Sequence, residues 1–95
     1  MLLLSAVGPS GRVTITPPGP VIQLRQGNSL FLSCSADCLP ACTYTWFKDS
    51  VELAAPQGLL TVNDVDRDSQ GAYTCQAVNS VGTGAKDIVL DIQCE

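Results

Sequence analysis

The chain contains no histidine, and that absence removes more chemistry than any residue present supplies. Ser-His and Cys-His nucleophile arrangements are unavailable without it, so no enzymatic activity is expected. Positive charge is also scarce. Five Lys and Arg face nine Asp and Glu for a net charge of −4. The five are scattered at Arg12, Arg25, Lys48, Arg67 and Lys86. Phosphate backbones need clustered cations, so nucleic acid is not an expected partner. No stretch reaches the ~18 apolar residues of a membrane span, and no membrane insertion by this fragment is expected. The opening MLLLSAV is apolar but has no basic n-region and is too short for a signal h-region. Residues 1–11 therefore read as an N-terminal extension or the edge of a fragment, with any targeting signal lying outside it. Asn28, Asn63 and Asn79 all lack Ser or Thr two residues on, so no N-glycosylation acceptor is visible.

Cysteine is what the chain has in excess. Five in 95 residues point to cross-links and an oxidising compartment, and the odd number leaves one over. The rival reading is a zinc site, which needs paired thiolates at short gaps, often with histidine. Cys38 and Cys42 have such a gap, but no second pair follows, so neither metal nor cofactor is expected. Asp64, Asp66 and Asp68 alternate as calcium ligands can. The glycine turn and later bidentate glutamate of a calcium loop are missing, which leaves a solvated acidic loop.

A chain of 95 residues suits one domain with a modest core. Short strand-like runs recur between turn signals: RVTIT (12–16), VIQLR (21–25), SLFLSCS (29–35), TYTWFK (43–48), LLTVNDV (59–65), GAYTCQAV (71–78) and AKDIVLDI (85–92). The prolines of PPGP interrupt a ladder, and Gln26-Gly27-Asn28 is a turn. Alternation turns Leu30, Leu32 and Cys34 inward, then Tyr44 and Trp46, then Leu60, Val62 and Val65. Further on it selects Tyr73, Cys75 and Ala77, and finally Ile88, Leu90 and Ile92. No segment sustains a helical period. About seven short strands of this kind read as an all-β, two-sheet antiparallel sandwich.

Two inward cysteines on opposed strands can bridge sheets about 10 Å apart, and an indole beside them fills the centre. The Cys34…Trp46…Tyr73-x-Cys75 arrangement resembles the immunoglobulin superfamily, over about residues 12 to 93. The resemblance implies a Cys34–Cys75 disulfide packed against Trp46, contributing roughly 4 kcal/mol through denatured-state loop entropy. It also implies a tyrosine corner in which the Tyr73 hydroxyl bonds back to the upstream backbone. Too few residues separate Trp46 from Cys75 for a variable-type domain. This implies a C2-type domain close to the I-set, with a short C′ strand and little or no D strand. PPGPVIQLRQGNSLFLSC, YTWF and YTCQAVNSVG are similar to C2 domains of carcinoembryonic-antigen-related adhesion molecules and siglecs. The family usually places Asp four residues before the tyrosine; this chain has Ser69 there, with Asp68 one step earlier.

The resemblance implies an extracellular recognition or spacer module of a cell-surface adhesion or immune-type receptor. Its expected partner is another protein, bound homophilically or heterophilically, and neighbouring immunoglobulin domains are expected in the full-length chain. The alternative is a structural I-set module of an extracellular-matrix or intracellular filament protein. Family members often bind through the outward face of strands C, F and G. That face would carry Thr45, Phe47, Thr74, Gln76 and Val78, with Phe47 either an interface anchor or covered by C′ or Leu53. Phe31, outward on the other sheet, is expected to be covered by strand A or the N-terminal MLLL.

For Cys38 and Cys42, flanking Leu39-Pro40-Ala41, three readings compete: two free thiols, a bridge to another molecule, or a bridge to each other. Exposed thiols rarely persist in an oxidising compartment, and a four-residue separation with proline lets the chain double back, which favours the mutual bridge. The stiffened loop, with Leu39 and Pro40 at its tip, joins the candidate contact residues. Cys94, in a C-terminal linker of residues 94–95, is expected to be unpaired within the domain. Strand G carries it about 26 Å from the Cys38/Cys42 loop, whereas a disulfide spans at most about 7 Å.

Overall fold

The structure is a computed structural model that describes Gly8, residues 11–16 and residues 19–93. Its strands are β1 (Val13–Thr16), β2 (Val21–Arg25), β3 (Leu30–Ala36), β4 (Thr43–Lys48), β5 (Val51–Leu53), β6 (Leu59–Val62), β7 (Gly71–Val78) and β8 (Thr83–Gln93). They form two sheets, one ordered β1-β3-β6 and the other β2-β8-β7-β4-β5. The molecule is thus an all-β sandwich of the immunoglobulin type.

Each strand pairs antiparallel with its neighbours except β2, which runs parallel to β8 with Val21 opposite Val89 and Leu24 opposite Ile92. The exception follows from the proline-rich break before β2. The chain changes sheets there without reversing direction, while β8 has its direction set by the β7 hairpin. Proline at 20 can still accept, and its carbonyl takes the Val89 amide at 2.9 Å. Several boundaries differ from the pattern-based expectation. β6 ends at Val62, and β8 begins two residues earlier than the apolar alternation suggests.

The core is supplied by alternate residues of facing strands, as the two-residue period requires. Val13, Ile15, Leu32, Cys34 and Leu60 come from one sheet; Trp46, Tyr73, Cys75, Ala77, Ile88, Leu90 and Ile92 come from the other. Val62 is half-buried and packs against this core from its edge. Val65, beyond the end of β6, is fully buried for a backbone reason. Its amide donates to the Asn28 carbonyl at 2.9 Å and its carbonyl accepts from Gly27 at 2.7 Å.

Cys34 and Cys75 are bonded across the sheets with their Cα atoms 6.5 Å apart. Trp46 lies opposite Cys75 in the ladder and is wholly buried, so its indole N–H must find an acceptor away from water. It donates to the Gly58 carbonyl at 2.9 Å. Gly58 closes a 3₁₀ turn at Pro56–Gly58 with φ +79°. A Cβ there would lie 2.8 Å from the Cys34 carbonyl oxygen and 3.2 Å from the Tyr44 ring, so only glycine brings this backbone to the indole.

Tyr73 donates its hydroxyl to the Ser69 carbonyl at 2.6 Å. The Ser69 side chain caps the 3₁₀ turn at Arg67–Ser69, accepting from the Asp66 amide at 3.2 Å, while Asp66 accepts from the Asp68 amide at 2.9 Å. The residue that departs from the family pattern thus acts through a capping box. Burial pushes the Tyr73 phenol above its ordinary pKa, with further upward pressure from Asp49 and Asp66.

Two outcomes follow for stability. Gly58→Ala combines a left-handed backbone penalty of about 1–2 kcal/mol with overpacking against Cys34 and Tyr44. It is expected to lower the unfolding free energy by about 2 kcal/mol or more, seen as a lower urea midpoint at constant m; an unchanged midpoint would show that these neighbours yield. Tyr73→Phe is expected to cost about 1 kcal/mol at neutral pH through the lost Ser69 bond. Because the folded phenol titrates above the unfolded one, its neutral form stabilises fully below about pH 10 and that contribution is lost as pH rises through the folded value. The difference between wild type and Tyr73→Phe should therefore shrink above that point, measured by denaturation in alkaline buffers.

Candidate functional site

Because the inner face is filled, the pleat sends the alternate side chains of β4, β7 and β8 outward. A lateral row crosses four strands: Glu52 lies opposite Phe47, Phe47 opposite Thr74, and Thr74 opposite Asp87. Thr74 Oγ1 donates to Asp87 Oδ1 at 2.6 Å, which fixes the carboxylate on this face. Thr45 pairs with Gln76 in the next row. Phe47, Asp49, Ser50, Thr74 and Gln76 line a groove of about 340 Å³.

The wall of this groove is made by a tight hairpin. Asp49 and Ser50 have φ of 51° and 66°, the paired positive values of a two-residue turn that follows strand twist. The turn brings β5 against β4, with Lys48 opposite Val51. Leu53, opposite Trp46, packs toward the core, so Phe47 is partly covered by the hairpin and not by Leu53. Lys48 Nζ lies 3.2 Å from Asp49 Oδ2 and 5.8 Å from the centre of the Tyr73 ring.

A second set of candidates meets at one end of the sandwich. Cys38 and Cys42 are bonded to each other with Cα atoms 5.7 Å apart. The loop they close is held to the β7–β8 turn by Asn79, whose Nδ2 donates to the Pro40 carbonyl at 2.9 Å. Asn79 Oδ1 accepts from the amides of Val81 and Gly82 at 3.0 and 3.1 Å, so one side chain both builds its own turn and ties two loops. Leu39, Val78 and Val81 are exposed here. Gly8 passes close by: a Cβ on it would lie 2.9 Å from Val81 Cγ1.

The candidate residues thus separate into two places. Phe47 and Gln76 share the groove with Thr45 beside them, whereas Val78, Leu39 and Pro40 belong to the loop end. Cys94 lies outside the described residues, as does the MLLL segment. Phe31 corrects the expectation of a covered ring: it is 62% exposed on β3. β1 is hydrogen-bonded beside β3 in the same sheet, so it extends that sheet and does not lie over the outer face to which Phe31 points. Sequence reasoning did not assign Asn79, Asp49, Ser50 or Asp87 to a site. An asparagine three residues before a glycine in a hairpin was the signal for the first, and Asp-Ser between two strand runs for the next pair.

Among the described residues, no group of three or more His, Cys, Asp or Glu is placed to hold a metal ion. No buried side-chain nitrogen or oxygen among them lacks a hydrogen-bond partner. A second concavity of about 280 Å³ is lined by Gln26, Asp66, Arg67 and Asp68, residues of both charge signs.

Comparison with known proteins agrees with this architecture. The family model described as immunoglobulin domain matches residues 12–79. Hemicentin-2 of Mus musculus is 35% identical over 92% of this chain, which corresponds to 2% of that protein. Vascular cell adhesion protein 1 of Canis lupus familiaris is 28% identical over 88% of this chain and 12% of its own length. The chain therefore spans a small part of these relatives. A solved chimeric titin Z1Z2 structure superposes with a TM-score of 0.77 at 20% identity, covering 97% of this chain and all of that one, and shows the fold alone. With the bridged, tryptophan-centred sandwich and the family match together, this chain belongs to the immunoglobulin domain family.

Proposed function

We propose that this chain is a non-catalytic, extracellular recognition or spacer module of a cell-surface adhesion or immune-type receptor, acting by protein–protein contact. The observation that carries the reading is the outward Phe47 groove. A partly covered aromatic in a concave patch on a rigid sheet is the kind of anchor that dominates interfaces. Similarity to an adhesion protein and to hemicentin-2 supports it, as does the cysteine usage. The C2/I-set reading is supported by a three-residue β5 followed, among the described residues, by a 3₁₀ turn that leads straight into β6. Residues 12–93 form the proposed domain, flanked by residues 1–11 and 94–95, with further immunoglobulin domains beside it. Cys94 is proposed to be unpaired within the domain.

A structural I-set module of a matrix or intracellular filament protein is the second reading. Alkylation of the protein in intact cells before lysis, followed by peptide mapping, separates compartments. The proposal expects Cys34, Cys38, Cys42 and Cys75 to be protected; alkylation of Cys34 and Cys75 in most molecules would favour the intracellular filament instead. For the face itself, cells displaying the full-length protein are offered a panel of soluble ectodomains. Gln76→Arg is expected to weaken the detected contact by about tenfold or more, and Leu59→Arg on the other sheet to leave it intact. Contacts indifferent to Gln76→Arg would show that the face is inert.

Replacing Cys38 and Cys42 together by serine removes about 2 kcal/mol of denatured-state loop entropy. The expected result is a melting temperature lower by several degrees with an unchanged fold, read by calorimetry and circular dichroism. Failure of the double variant to fold would make the loop bridge part of the structural frame.

A further inference from the structure

We infer that the Phe47 groove receives a guanidinium group, an arginine side chain presented by the partner protein. This rests on the reading of the outward face as a contact surface and names the chemistry that the contact selects. Phe47 occupies a row whose two ends are carboxylates, Glu52 one strand to one side and Asp87 two strands to the other. At about 4.8 Å per strand the two carboxylate-bearing Cα positions are roughly 14 Å apart, with the ring between them. Asp49 also lines the groove wall, but its carboxylate is paired with Lys48, so the anions open to a partner are Glu52 and Asp87; Thr74 and Gln76 add neutral polar groups.

None of the chain's own cations occupies this row. Lys48 is turned to the other side of β4, against Asp49 and the Tyr73 ring. Lys86 projects from β8 on the opposite parity to Asp87, opposite Cys75 in the ladder. Arg25 shares the outward face but sits opposite Gln93, six residues along β8 from Asp87 and so about 20 Å away. Arg12 and Arg67 lie beyond the sheet altogether, before β1 and in the turn after β6. The row is therefore an aromatic flanked by anions without a local counter-charge. A planar, weakly hydrated guanidinium meets all three of its features at once: it stacks on an aromatic face, pairs with carboxylates, and donates to amide and hydroxyl oxygens. A neutral or acidic side chain would leave the carboxylates desolvated against an apolar neighbour.

The test uses the 95-residue chain with isotopically labelled amides and two short peptides, acetyl-Gly-Arg-Gly-amide and its citrulline counterpart, which keeps the shape and loses the charge. At low ionic strength the arginine peptide is expected to shift the amides of Phe47, Asp49, Ser50, Thr74 and Gln76. It should bind at least about threefold more tightly than the citrulline peptide and weaken as salt is added. Glu52→Gln with Asp87→Asn should abolish the difference between the two peptides, and Phe47→Leu should weaken the arginine peptide alone. Equal binding of the two peptides, or shifts concentrated at residues 66–68, would overturn the inference. That failure is separable from failure of the face: a groove blind to charge while Gln76→Arg still disrupts cell binding removes only the guanidinium, whereas an inert face removes both.

Discussion

The distance between the two sheets is set at one point, where Cys34 and Cys75 are joined, and most of the interior is arranged around that link. With Cα atoms 6.5 Å apart at the bridge, the sheets are closer there than side chains alone would hold them. Trp46, in the ladder position beside Cys75, fills the wider space next to the bridge and is left with an indole N–H facing no water. The nearest solution is backbone, and it demands that residue 58 have no side chain. A disulfide, a tryptophan and a glycine far apart in sequence thus form one requirement. For a domain this small, the ~4 kcal/mol that the model of loop entropy assigns to a 41-residue separation is comparable with net stability itself.

The same strict alternation that loads the core decides what the outside looks like. On the three-stranded sheet it turns out Thr14, Thr16, Ser33, Ser35 and Thr61, an uncharged surface interrupted by Phe31 and Leu59. On the five-stranded sheet it turns out Glu52 and Asp87 in the row of Phe47, with Asp91 and Arg25 farther along on β8 and β2. A one-residue slip in either sheet would exchange the two faces and expose the cysteines, so the surface chemistry is as firmly registered as the core.

Period-two alternation made the strands and most of the core legible, because each half-buried strand writes its burial directly into every second residue. The Cys34, Trp46, Tyr73 and Cys75 spacing made the architecture legible, because few folds place those four side chains at one centre. What escaped was set by backbone and by contacts between distant loops. β5 is three residues long and carries no repeat to read; it exists because Asp49 and Ser50 accept positive φ. Val65 is buried by hydrogen bonds to residues 27 and 28 rather than by strand phase. The parallel pairing of β2 needed knowledge of which sheet the chain enters after its prolines. On the candidate face, Phe47 could be identified from parity alone. The groove around it could not, since its wall belongs to the hairpin and its flanking carboxylate to β8. Asn79 read as a failed glycosylation site, whereas its side chain is the tie between two loops.

These ties bear on how such a surface can bind. Ordering a loop or a side chain at an interface costs free energy that the contact must recover. Here the groove is built on paired strands, its carboxylate is held by Thr74, and its wall is a two-residue turn with little freedom to lose. The loop end is restrained twice, covalently within Cys38–Cys42 and by the Asn79–Pro40 bond. Partner contact at either place would therefore be opposed chiefly by desolvation. At the groove that term is largest for the carboxylates, and it is offset only by an incoming positive charge. A rigid face with unneutralised anions beside an aromatic consequently discriminates among partners by charge before it discriminates by shape.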